Sequence, residues 1–291
     1  MATYGKTTSS RQTASVAFKQ SLRQIIDNCI RTYFSGTLGR EPDIVNIVMS
    51  LIYLESSFRP DAIGPAIPLS ASSSARDYWN SSAIASILKS ATPQQRANIE
   101  QGLRAWGLMQ CMGWNVVRGA SKAGGGKQEI ERHRPDLAPR LTVAPGESIE
   151  AKYYGEANVE NQILAGLVIL ESKYKAVRPS GNGFRIGRLT FSTKMPAAVA
   201  AYLGLGARDV RTGITPEQYA NSICYGRAYE IANNGASPTG YVPTANPTPS
   251  QSTKGPSRTA ASGHNQVMVG CLVWKGFPAR HVKIAAYLYI L

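Results

Sequence analysis

Acidic side chains are scarce in this chain: 18 Asp and Glu stand against 32 Lys and Arg, for a net charge of +14. A surface with that surplus suits an anionic partner. The basic residues are spread along the chain rather than interleaved with aromatics, so nucleic acid is not the expected one. A bacterial wall, with its teichoic acids or the peptide carboxylates of peptidoglycan, fits the charge as well. Metal-binding residues are also few. The three histidines, His133, His264 and His281, are far apart, and no two of the four cysteines, Cys29, Cys111, Cys224 and Cys271, stand at metal-ligand spacing. No metal and no cofactor is expected. An even cysteine count leaves disulfides open, but a chain of this size favours buried free thiols. No apolar run of about 18 residues occurs, so no membrane-spanning helix is expected. The opening Met1-Ala2-Thr3-Tyr4-Gly5-Lys6 leads into polar residues without the apolar stretch of a secretory signal.

What is present describes a globular protein: 43% apolar and 17% charged residues over 291 positions, enough for one large domain or two small ones with a sizeable core. Residues 1–14 are polar and read as an N-terminal arm. Phe18, Leu22, Ile25, Ile26, Cys29 and Ile30 recur three and four apart, which predicts a helix over 15–34 with Cys29 in the core. Gly36-Thr37-Leu38-Gly39 breaks it. A second helix is expected from near Glu41-Pro42 until Phe58-Arg59-Pro60 stops it. Further helices are expected near 75–90, near 93–104 with a start signal at Thr92-Pro93-Gln94-Gln95, and over 158–176, 194–206 and 215–233. Residues 127–157, charged and punctuated by Pro and Gly, read as a surface excursion. Gly124-Gly125-Gly126-Lys127 lacks the flanking Gly and Ser/Thr of a phosphate-binding loop and reads as a turn. Residues 235–262 have the Ser/Thr/Pro/Gly composition of a linker. The apolar tail 263–291 is expected either to anchor the chain to a partner or to pack on its own core.

The residue that carries chemistry is Glu55. It follows Ile44, Val48, Leu51 and Ile52 at helical spacing and falls on their apolar stripe, about three turns after Ile44 at roughly 3.6 residues per turn. A carboxyl group there is expected to be partly desolvated and to hold its proton above the ~4.3 of a free Glu, as a general acid requires.

Three further segments follow it in order: Gly107-Leu108-Met109-Gln110 after Trp106; Asn161-Gln162-Ile163-Leu164-Ala165-Gly166; and Ala200-Ala201-Tyr202. Glu55-Ser56 followed by these segments resembles the lytic transglycosylases of the lysozyme superfamily, and Pro216-Glu217-Gln218-Tyr219 resembles their closing helix. The likeness covers about residues 40–232, with gaps. It implies a mainly α, lysozyme-like domain over 15–234 with inserts at about 65–104 and 114–157, followed by the linker and a C-terminal docking segment. Two departures stand out. Gly107 lies 52 positions after Glu55 (107 − 55), a longer spacing than the family's. Leu203 stands where the family commonly has Asn after the Tyr.

The resemblance also implies a reaction. Hydrolysing glycosidases usually use two carboxylates, whereas lytic transglycosylases use one. Glu55 would protonate the glycosidic oxygen between N-acetylmuramic acid and N-acetylglucosamine. It would then take the proton from the muramic C6 hydroxyl as that oxygen attacks C1, giving a 1,6-anhydro sugar. Ser56, Gly107, Met109, Gln110 and Tyr202 would form the substrate site, with Ser56 near the acetamido group, Met109 and Gln110 lining the cleft and the Tyr202 hydroxyl directed at Glu55. A wall enzyme without an export signal points to a phage virion, in a tail or baseplate whose proteins bind the linker and tail. A lysozyme-type hydrolase, and a structural tail protein keeping the fold, are the alternatives.

Overall fold

The computed structural model describes residues 14–121, 128–205 and 215–239. Of these, 58% are helical, and the protein is mainly α. The first helix, α1 (Val16–Tyr33), is capped by the Ser15 hydroxyl and buries Leu22, Ile26, Cys29 and Ile30 on one face. It leads to α2 (Ile44–Ser56), whose run Ile47–Ile52 is wholly buried. Three short helices follow, α3 (Ser73–Trp79), α4 (Ser82–Leu88) and α5 (Pro93–Glu100). The last starts at the expected signal: Thr92 and Gln95 form a reciprocal capping box, with Pro93 in the first turn. The strands β1 (Ala105–Trp106) and β2 (Cys111–Met112) form an antiparallel pair, with Trp106 opposite Cys111.

Residues 128–153 hold α6 (Glu129–His133), α7 (Ala138–Leu141) and α8 (Glu150–Tyr153). This corrects the surface excursion expected there, because Ile130, Leu141, Ile149 and Tyr153 are fully buried. Its charged residues hid the signal: most lie at the surface, Glu129 being buried, and the helices of four or five residues are too short to display a period. The glycine run 124–126 lies outside the described residues.

The core is organised on α9 (Val159–Ala176), buried without a break from Gln162 to Ser172. A helix apolar on all sides must be surrounded, and α1, α6, α7, α8, β2 and α10 (Lys194–Leu203) pack around it. Between α9 and α10 lies a feature with no counterpart in the expectations: an antiparallel sheet of β3 (Arg178–Ser180), β4 (Gly183–Ile186) and β5 (Leu189–Phe191). The helix expected over 215–233 is two, α11 (Pro216–Tyr225) and α12 (Arg227–Ala232), parted at Gly226. Both pack on α2. Cys29, Cys111 and Cys224 are buried free thiols, as expected. No helix among the described residues is long and apolar enough to cross a membrane. The arm, except for Ala14, most of the linker and the whole docking segment lie outside the described residues.

Candidate active site

Glu55 occupies the penultimate position of α2 and is half-buried. The chain turns sharply after it. Ser57 and Phe58 both have left-handed backbone, with φ of 54° and 63°, a conformation costing roughly 1–2 kcal/mol per non-glycine residue. Burial holds the turn: Phe58 is 5% exposed, packs 5.9 Å from the Tyr53 ring, and carries the Lys19 ammonium 4.8 Å from its centroid. The Ser57 amide closes the helix on the Tyr53 carbonyl. Ser56, expected near substrate, is buried and donates its hydroxyl to the Ile52 carbonyl at 3.0 Å, a local backbone bond.

The chain after this turn runs beside β1. The Gly107 amide donates to the Ala62 carbonyl, the Gly64 amide to Ala105, and the Ile67 amide to Leu103. Gly107-Leu108-Met109-Gln110 is the loop joining β1 to β2, with left-handed backbone at both ends (Gly107 φ 69°, Gln110 φ 48°). A Cβ at Gly107 would also stand 2.5 Å from the Gln162 side chain, so this position admits glycine alone.

Gln162 is what joins these parts. Fully buried on α9, it accepts from the Leu108 amide at 2.9 Å. Its amide nitrogen donates to the carbonyls of Pro60, Tyr153 and Gly155 at 2.9, 3.1 and 3.1 Å. One side chain thus ties the segment after Glu55, the Gly107–Gln110 loop and the end of α8 to the central helix. Its neighbour Asn161 is at the rim, accepting from Arg140. Sequence reading placed the motif but not this division of labour. The available signal was helical phase: Gln162 lies four before Gly166 and shares its face.

Met109 does not line a cleft. It is fully buried, and its side chain lies on Gly166, where a Cβ would come within 2.6 Å of the Met109 Cβ. Its contribution to the site is its carbonyl, which accepts the Tyr202 hydroxyl at 2.5 Å. Leu108 is fully buried. Gln110 is half-buried and donates its side-chain amide to the Gly107 and Ala62 carbonyls, fastening the loop to the strand beside it.

Tyr202, 9% exposed on α10, donates its hydroxyl to the Met109 carbonyl and lies near enough to Glu55 to feel its charge. Its pKa is pushed well above the ordinary tyrosine value, first by burial, then by the charge of Glu55, then by Cys111. The hydroxyl therefore stays protonated. With that proton directed to the Met109 carbonyl, its lone pairs can accept from a protonated carboxyl beside it. The hydroxyl donates to the Met109 carbonyl and is coupled to Glu55 electrostatically.

Residues 65–104 build a separate cavity of about 560 Å³, lined by Ile67, Leu69, Trp79 and Leu103 and edged by Glu100 and Arg104. No group of three or more His, Cys, Asp or Glu suited to a metal ion occurs among the described residues. No protein-family model, curated protein or solved structure matches the chain.

Proposed function

We propose that the chain is a peptidoglycan lytic transglycosylase of the lysozyme superfamily, borne on a phage tail or baseplate, with Glu55 as its general acid and base. One observation carries the reading. A half-buried carboxyl group ends a core helix, and its charge acts on Tyr202, whose hydroxyl is bonded to a glycine-started loop that is itself bound to the central helix. That arrangement supports proton transfer by a single carboxylate. Desolvation favours the neutral acid, and a phenol kept neutral by burial supplies an acceptor without adding charge. Glu55 delivers its proton to the glycosidic oxygen. It then recovers one from the C6 hydroxyl as that oxygen closes on C1, so no water is consumed and the product carries a 1,6-anhydro bond. Tyr202 orients the carboxyl group. Gln162, Gln110 and Gly107 hold the loop against the segment that follows Glu55.

Specific observations favour a second reading, a structural tail protein of weak activity. Leu203 replaces the family's Asn, and the side chains of Ser56, Met109 and Gln110 are engaged with the protein itself.

The deciding experiment digests purified peptidoglycan with wild type and Glu55→Gln and identifies the muropeptides by mass spectrometry. Anhydro-muramic products, reduced by about 10²–10⁴-fold in the variant, are expected for an acid of this kind. Reducing-end products would move the assignment to a lysozyme-type hydrolase. No products from folded wild type, alone or in whole particles, would leave the structural reading.

A further inference from the structure

Between Ser172 and Leu205 the chain carries six cations, Lys173, Lys175, Arg178, Arg185, Arg188 and Lys194, and no Asp or Glu. The fold provides for three of them. Lys173 pairs with Glu129 at 3.5 Å and Lys175 with Glu171 at 3.0 Å, while the Lys194 ammonium sits 3.8 Å from the centre of the Tyr174 ring. The other three stand on the β3–β4–β5 sheet, all exposed. Arg178 lies directly opposite Arg185 in the antiparallel register, and Arg188 stands in the two-residue turn between β4 and β5. Among the described residues, no carboxylate pairs with any of them.

The arrangement has a direction. Pro179, Phe184 and Phe191 form one cross-strand row, with Phe191 buried and Phe184 half-buried on the side packed against α10. Because side chains alternate along a strand, the next row, Arg178, Arg185 and Thr190, faces out. Like charges directly opposite each other destabilise an antiparallel ladder, and nothing within the described fold offsets the repulsion.

We propose that this sheet face binds a linear phosphodiester polymer of the bacterial wall, a teichoic acid, through Arg178, Arg185 and Arg188. Guanidinium groups take phosphate oxygens bidentately, and a bound polyanion turns the cross-strand repulsion into attraction. The face lacks what a nucleic-acid surface would add. The exposed large apolar side chains among the described residues are Val16, Ile63 and Tyr154, none on this sheet, so it has no exposed aromatic on which bases could stack. The choice of a wall polymer rests on the proposed function; the charge pattern does not.

The test titrates the full chain with purified poly(glycerol phosphate) teichoic acid over a salt series, against the triple variant Arg178→Gln/Arg185→Gln/Arg188→Gln. Wild type should bind with steep salt dependence. The triple variant should bind about tenfold or more weakly, with the slope of log K against log salt flatter by about 2, as three lost phosphate contacts require. Arg185→Gln alone should melt at or above the wild-type temperature at low salt, because it removes a repulsion; this separates lost binding from lost folding. Equal affinity and slope in the triple variant, no binding by wild type, or tighter binding of duplex DNA than of teichoic acid would each overturn the proposal. The triple variant should digest teichoic-acid-free peptidoglycan at the wild-type rate. Failure of that digestion by wild type itself would count against the enzyme reading, while the titration decides the sheet.

Discussion

The corner at Glu55 and the sheet at Arg185 lie at opposite ends of α10 and are built on opposite terms. At the corner, strain and polar groups are answered from within. Two left-handed residues are held by a buried Phe58, and Gln162 accepts from one amide and shares its two amide protons among three carbonyls. At the sheet, two arginines face each other with no carboxylate partner among the described residues. An interior that resolves its own polar groups fixes a geometry; a surface that leaves like charges opposed awaits something from outside. The difference separates residues kept for positioning from residues kept for contact.

The contrast can be broken at Gln162. Gln162→Leu keeps the volume but strands the Leu108 amide and the Tyr153 carbonyl, while the Pro60 and Gly155 carbonyls keep only their bonds from the Gly155 and Asn158 amides. At about 1–3 kcal/mol for each of the two buried groups left unpaired, denaturant unfolding should show a loss of about 2 kcal/mol or more, with peptidoglycan digestion abolished. A loss under about 1 kcal/mol would mean that the corner is not held from within. Gly166→Ala sharpens the comparison. Alanine gains about 1 kcal/mol of helix propensity, but its Cβ would stand 2.6 Å from the Met109 Cβ, and overpacking costs about 1–3 kcal/mol. The clash should win by about 1 kcal/mol, and adding Met109→Ala should relieve only part of it, because the Sδ contact at 2.3 Å goes while the Cβ contact stays. A Gly166→Ala protein more stable than wild type would show that the loop is free to shift.

The smallest effect is in pH. Burial pushes Cys29 and Cys111 up to about 12, from a usual thiol value of 9.0. Between those values the unfolded chain gives up protons that the folded one keeps, so their stabilisation is whole below pH 9 and is lost as pH rises toward about 12. Melting temperature should fall across that window. Below it, a thiol reagent should leave Cys29, Cys111 and Cys224 unmodified in the folded protein and reach them on unfolding. Ready modification of all three in the folded protein would contradict their burial.

Much of the fold was legible because its helices obey local rules. Apolar spacing placed α1 to within a residue or two, the helix expected over 158–176 matches α9, and the Thr92-Pro93 signal set the start of α5. Where local rules are weak, the sequence misled. Residues 127–157 read as surface because short helices show no period, and the strands of β3–β5, three or four residues each, offered no run long enough to recognise. The single helix expected over 215–233 divides at Gly226, where a Cβ would meet the Ser222 backbone at 3.0 Å.

For the site, the sequence by itself determined that a glutamate ends an apolar helix, that a glycine begins the loop at 107, and that a tyrosine closes α10. These are matters of residue type and period, settled within a turn or two of chain. Only the tertiary structure decided how they meet: that Met109 turns into the core and offers its carbonyl, that Tyr202 spends its proton there, and that Gln162 rather than Asn161 binds the parts together. Hydrogen bonds across 40–100 residues of sequence depend on which faces of α9 and α10 are pressed together. That is set by packing, which no local pattern records.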